Sequence, residues 1–142
     1  MLHEVVAALI IRSQRILLGQ RSASRAFYPG VWDVFGGHVE PGEGHEGTLV
    51  RELQEELGIT ATTWRVLESM TIPPSSTPDE ASDVLIVHLF LVTDWDGTPE
   101  NRQLEEHSAI RWFSLAEALQ LPLADPSYPM LFGRYLNADL KG

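Results

Sequence analysis

Apolar residues in this chain follow two rhythms: short dense runs, and one longer stretch with helical spacing. His3 to Arg12 (HEVVAALIIR) is almost continuously apolar and rich in β-branched residues, which predicts a buried strand. Ser13 and Gln14 turn the chain into Arg15 to Arg21 (RILLGQR), a second strand, so the first two elements make a hairpin. Ser22 to Gly30 (SASRAFYPG) reads as a polar loop with a Pro-Gly turn. Val31 to Gly37 (VWDVFGG) predicts a short strand ending in two glycines. Three more strands are predicted at Thr62 to Ile72, Asp83 to Asp94 and His107 to Phe113. Pro73 to Ser82 between them is a Pro/Ser loop, a candidate lid or specificity loop. Asp96-Gly97 is turn chemistry. Ser114, with Glu117 three residues on, makes a capping box for a short helix, SLAEALQL. Met130 to Leu140 is an amphipathic run that predicts a closing helix.

The helical stretch follows a Pro-Gly loop, carries Arg51, Glu52, Glu55 and Glu56, and is closed by Gly58. Leu49, Val50, Leu53 and Leu57 form its apolar stripe. Glu52, Glu55 and Glu56 stand at i, i+3 and i+4 and share a second face. Gly58 suits the left-handed position after a helix, and Ile59 can pack back on the last turn. Glu52 and Glu56 repel at i, i+4, by a few tenths of a kcal/mol, and Arg51 offsets part of this by pairing with Glu55. Two readings explain such a face. One is a ligand set for a hard divalent cation, because Mg2+ takes oxygen ligands. The other is a solvated acidic helix surface.

Composition narrows the class. A length of 142 residues suits one domain, and 44% apolar content supports a core. Zero cysteines exclude disulfides, thiolate metal sites and thiol nucleophiles, which fits a reducing, cytoplasmic location. The apolar run Val5 to Ile11 is too short to span a bilayer and lacks the flanks of a signal peptide. Net charge is −10, from 20 acidic and 10 basic residues, which argues against binding a nucleic-acid polymer. No H-E-x-x-H spacing is present, so His38 and His45 read as polar loop or helix-start residues. His88 in mid-strand reads as a hydrogen-bonded sheet histidine. No Ser-His or Cys-His nucleophile pattern appears.

The stretch Gly37 to Ile59 reads G-x5-E-x7-R-E-L-x-E-E-x-G-I, with Glu43 as its isolated glutamate. It resembles the Nudix box of the Nudix hydrolases at every fixed position over 23 residues. The flanks resemble the family too: a glycine pair before the box, and an acidic loop, I-R-W-F-S-L and a short helix after it. Phe35 stands where a proline is often found, and His38 where a basic residue is often found.

The resemblance implies an α+β fold, the Nudix-type α/β/α sandwich with a mixed central sheet, in a single domain over residues 1–142. It implies hydrolysis of the pyrophosphate bond of a nucleoside diphosphate linked to another moiety, with Mg2+ or Mn2+ as cofactor. Glu52, Glu55, Glu56 and the Gly37 carbonyl would hold the metal, with Glu52 also a candidate general base. Arg51 would orient the glutamates, and Glu43 would support Arg51 or a metal-bound water. Glu105 or Glu106 lies where some members supply an extra glutamate; an ordinary solvated loop is the other reading. Arg21 is a candidate phosphate contact or a solvated strand end. Phe27 and Tyr28 either stack on a base or cover the core. His38, Asp125 and Tyr128 are further substrate candidates. Short length and the W-D-V-F-G-G-H-V-E-P-G-E segment resemble small mutator-type (d)NTP pyrophosphohydrolases, including those acting on 8-oxo-dGTP. ADP-ribose or nucleotide-sugar hydrolysis, or a non-catalytic nucleotide-sensing domain, are the alternatives. The isomerase branch relies on a cysteine, which is absent. The partner is a small nucleotide, not a membrane, and the chain is expected as a monomer or homodimer.

Overall fold

The computed structural model describes residues 2–22, 30–72 and 84–141, with side chains for 3–22, 30–72 and 84–136. Phe27, Tyr28 and the Pro73 to Ser82 loop lie outside the described residues. Ten elements follow in order: β1 (Leu2–Arg12), β2 (Arg15–Arg21), β3 (Trp32–Asp33), β4 (Phe35–His38), α1 (His45–Leu57), β5 (Thr60–Ile72), β6 (Val84–Asp96), β7 (His107–Ser114), α2 (Leu115–Ala118) and α3 (Tyr128–Lys141).

Among the described residues the strands form one mixed sheet in the order β3-β2-β1-β6-β5, with β4 on β1 and β7 on β2. The long β1 is the spine. It runs parallel to β6 from Leu2↔Val84 to Ile10↔Val92, and antiparallel to β2 and β4. The β1–β2 hairpin turns on Ser13 (φ 53) and Gln14 (φ 64), the two left-handed residues that a tight two-residue turn requires.

Period-two alternation in β1 divides the core. Val6, Ala8 and Ile10 pack with Leu49, Leu53 and Leu57 of α1 on one face. Ala7, Leu9 and Ile11 pack with Ala118 of α2 and Leu131, Phe132 and Leu136 of α3 on the other. The result is the expected α/β/α sandwich. Leu49, Leu53 and Leu57 are fully buried, each worth about 1.5–3 kcal/mol of transfer free energy. Val50 is only partly buried, and Thr48 lies in the core instead. Gly58 ends α1 in the left-handed region (φ 70), its N–H donating to Gln54 O at 3.0 Å. No helix among the described residues is long and apolar enough to cross a membrane.

Several boundaries move. The expected strand from Val31 to Gly37 breaks at Val34, because the chain leaves β2 (Gly19↔Asp33) and joins β1 (Ala8↔Phe35). Asp33 Oδ1 accepts from Val34 N–H at 2.8 Å and stabilises the jog. The short helix after Ser114 is a single turn, held by the full capping box with Glu117. The closing helix starts at Tyr128 rather than Met130. Asp125 Oδ1 gathers Ser127 N–H (2.8 Å) and Oγ–H (2.6 Å), which organises that entry.

Candidate active site

A cleft of about 350 Å3 opens where β4, α1 and the start of β7 meet. Arg21, Asp33, Gly36, Gly37, Glu52, Glu56, Glu106 and His107 are among its walls, with His38, Glu40 and Arg51 at the α1 side. The apolar stripe of α1 is pinned to the sheet, so its rotation is set. Glu52 and Glu56 are thereby turned toward the β4 backbone. Gly36 N–H donates to Glu56 Oε2 at 3.1 Å. At Gly37 the backbone lies so close to the Glu52 carboxylate that an added Cβ would collide with it.

Arg51 locks the rim. Its Nε donates to Glu43 Oε2 (2.7 Å), and one terminal nitrogen to Glu52 (3.1 Å) and Glu55 (3.1 Å). The other terminal nitrogen donates to Glu43 Oε1 (3.0 Å) and the His38 carbonyl (3.0 Å). Glu43 also accepts from Thr48 Oγ–H (2.6 Å) and Glu40 N–H (3.2 Å). One guanidinium therefore ties the loop before α1 to two turns of the helix, which its fork of five donors allows.

The glutamates occupy unlike environments. The Arg51 and Thr48 hydrogen bonds hold the Glu43 carboxyl down to about 2. Burial first, and then the charge of Glu52, push Glu56 up to about 9, against the Gly36 hydrogen bond. Burial also raises Glu52, while Arg51 opposes the rise. Glu55 stays half exposed at the rim. Donor atoms of Glu56, Glu106 and His107 all lie within 4.8 Å of one another.

Of the expected site residues, the fold brings together Gly37, Glu43, Arg51, Glu52, Glu55, Glu56, Glu106, His38 and Arg21. Glu105 is exposed and does not line the cleft. Arg21 faces Asp33 (3.7 Å) in the cleft wall rather than lying as a solvated strand end. Asp125 is absent from the wall and serves the turn before α3. Tyr128 is a buried strut, its hydroxyl donating to Asp33 Oδ1 at 2.6 Å. Burial raises the Asp33 carboxyl and, with Asp33, the Tyr128 hydroxyl.

Three polar wall residues escaped the sequence reading: Asp33, Glu40 and His107. Asp33 had a signal, a carboxylate inside an apolar strand, which burial makes expensive unless the residue is used. His107 follows Glu105-Glu106 directly, but its burial against Phe35 (5.2 Å between rings) depends on tertiary contacts. Glu40 carried no separate signal.

A hard divalent cation fits this donor set. Glu52, Glu56 and Glu106 gather at the floor, and burial holds Glu52, against Arg51, and Glu56 toward their neutral forms. Added positive charge would restore their ionised forms. The Gly37 backbone beside Glu52 leaves room for no side chain there.

Comparison with known proteins places this geometry. The NUDIX domain profile matches residues 1–132. A CTP pyrophosphohydrolase from Escherichia coli K12 is 42% identical over 128 residues, covering 90% of this chain and 87% of that protein. An oxidized purine nucleoside triphosphate hydrolase from Mus musculus is 33% identical over 117 residues, 82% of this chain and 67% of that protein. The crystal structure of a MutT NUDIX hydrolase from Burkholderia pseudomallei superposes with a TM-score of 0.80 at 27% identity, covering 95% of this chain and 98% of that one.

Proposed function

The chain belongs to the Nudix hydrolase family, and from that premise we propose that it hydrolyses nucleoside triphosphates to the monophosphate and pyrophosphate. The observation that carries this reading is the floor of Glu52 and Glu56 on the Gly36-Gly37 backbone, locked by Arg51.

Nudix hydrolases generally use a divalent metal, and we assign Mg2+ to Glu52, Glu56 and the Gly37 carbonyl, with Glu55 at the rim. When bound, the ion neutralises charge between the carboxylates and the polyphosphate and acidifies water. The protein's own residues do the rest. Arg51 fixes the Glu52 and Glu55 carboxylates and holds the loop through Glu43. Glu52 is the proposed proton acceptor for the attacking water. Arg21, in the cleft wall, would meet a phosphate oxygen. Water adds to one phosphorus, the bridging oxygen leaves with the other phosphate group, and the proton passes to carboxylate.

Both relatives are named for nucleoside triphosphates, CTP in one and oxidized purine nucleoside triphosphates in the other. The higher identity of the CTP pyrophosphohydrolase makes CTP the first substrate to test, ahead of 8-oxo-dGTP. The experiment is nucleoside monophosphate release with Mg2+, read by product chromatography, across CTP, dCTP, 8-oxo-dGTP, other (d)NTPs, ADP-ribose and dinucleoside polyphosphates. Triphosphates should turn over fastest. Exclusive turnover of ADP-ribose would move the assignment to the sugar-linked class. No turnover of any compound would leave a sensing domain.

A further inference from the structure

Among the described residues, one cluster of metal-ligating side chains stands apart outside the cleft: Glu4, His45 and His88. None of the three lines the cleft. They come from three elements, β1, the first residue of α1, and β6. His88 Nε2 lies 2.8 Å from Glu4 Oε1, and His45 Nε2 lies 3.3 Å from the same oxygen. The donor atoms of all three lie within 4.8 Å of one another. Behind His88, Ser69 Oγ sits 2.9 Å from Nδ1.

We propose that Glu4, His45 and His88 form a binding site for a borderline divalent transition ion such as Zn2+, separate from the catalytic cleft. Two imidazoles and one carboxylate are a zinc ligand set that leaves a position open for water. Imidazole donors select zinc-like ions over Mg2+. Tetrahedral zinc, with bonds of about 2.0–2.2 Å, places its donors about 3.3–3.6 Å apart, and here Glu4 Oε1 lies 2.8 and 3.3 Å from the two imidazoles with all three donors within 4.8 Å. The neutral His88 ring can donate Nε2–H to the Glu4 carboxylate at 2.8 Å while Nδ1 accepts from Ser69 Oγ–H at 2.9 Å. Zinc would take the place of the Nε2 proton, and the ring would then turn its remaining N–H, on Nδ1, to Ser69 Oγ. Ser69 then orients the ring from behind.

The two imidazoles now stack with centroids 3.7 Å apart and planes 24° from parallel. Sharing one tetrahedral ion needs ring centroids about 5 Å apart. His45 is the ring that moves, since its side chain is 41% exposed against 15% for His88. The bound ion would tie the first turn of α1 to the sheet. It would therefore stabilise the folded chain by linkage.

The test is calorimetric titration of the metal-stripped full chain with Zn2+ in a large excess of Mg2+, which occupies the carboxylate cleft. One Zn2+ should bind per chain. His45→Ala and Glu4→Gln should each weaken that binding by at least about tenfold, since even outer-sphere losses reach that scale. Turnover with Mg2+ alone should be unchanged in both variants. Imidazole NMR of the wild type should show His45 and His88 shifting together at one equivalent, an outcome that needs no variant to fold. Equal zinc affinity in wild type, His45→Ala and Glu4→Gln would overturn the site. So would zinc binding abolished by Glu56→Gln alone, which would place the ion in the catalytic cleft.

Discussion

Glu43 and Glu56 belong to one glutamate cluster, yet the rim and the floor treat the same side chain in opposite ways. At the rim, Glu43 receives two N–H donors from Arg51, a hydroxyl from Thr48 and a backbone N–H from Glu40. Its charge is satisfied by the protein, and its carboxyl is held down to about 2. At the floor, Glu56 is buried, accepts from Gly36 N–H, and faces the charges of Glu52, Glu106 and Asp33. Its carboxyl is pushed up to about 9. Environment, not residue type, separates the two tasks. The rim is complete without a ligand, whereas the floor holds carboxylates that added positive charge would ionise.

The sharpest way to break this contrast is Glu56→Gln. The amide keeps an oxygen for Gly36 N–H but cannot ionise. Activity should fall by about 10²- to 10³-fold, the scale on which one preorganised electrostatic group acts. Stability should move the other way. Glu56 in the folded chain has a pKa above the ordinary 4.5, so folding retains a proton that the unfolded chain releases. That contribution is fully present below pH 4.5 and is lost as pH rises toward 9. The slope is up to about 1.4 kcal/mol per pH unit, a few kcal/mol in all. Metal-free wild type should therefore weaken from pH 5 to about 9, and Glu56→Gln should flatten that fall. Denaturant midpoints across this range measure it. A flat wild-type profile would mean the floor is not held neutral by burial.

Glu43→Gln sharpens the other side, with a smaller effect. Here the folded pKa is depressed, so the stabilisation is present above 4.5 and lost as pH falls toward about 2. The variant should melt below the wild type at pH 7 and lose that difference in acid. Activity should fall by less than for Glu56→Gln, because Arg51 keeps its bonds to Glu52, Glu55 and the His38 carbonyl. Thermal melts at pH 7 and pH 3, with turnover under saturating CTP, are the measurements. An unchanged melt at pH 7 would show that Arg51 anchors the loop without Glu43.

These contrasts explain how much could be read beforehand. The order of strands and helices was legible because apolar rhythm follows local geometry. The helix face of Glu52, Glu55 and Glu56 was legible because i, i+3 and i+4 positions are fixed by the helical period. Arg51 with Glu55 was legible for the same reason, and Ser114 with Glu117 through its capping spacing. What was not legible depends on which strand lies behind which residue. That Glu56 is buried and Glu55 exposed follows from where Gly36 passes, and Gly36 is placed by its pairing with Ala7 of β1. Nor does spacing show that Glu106 faces the cleft while its neighbour Glu105 faces solvent. The break at Val34 needs the switch between β2 and β1, which a seven-residue window cannot display.

The mildest perturbation probes the floor from its far wall. Glu106 is one of the charges that raise Glu56, after burial and Glu52. Replacing it by Gln removes a negative neighbour without disturbing α1. The Glu56 pKa should then fall, so the alkaline loss of stability should end at lower pH. Above that point the folded metal-free chain should gain less than about 1 kcal/mol over wild type, since one unit is worth about 1.4. Glu105→Gln changes the same net charge one residue away, on the exposed side, and should leave the profile where it was. If both variants shift it equally, the effect is the protein's overall charge and not a contact across the cleft. If only Glu106→Gln does, the floor's acidity is set from β4, α1 and the turn before β7 together, and the carboxylate cluster extends beyond one helix.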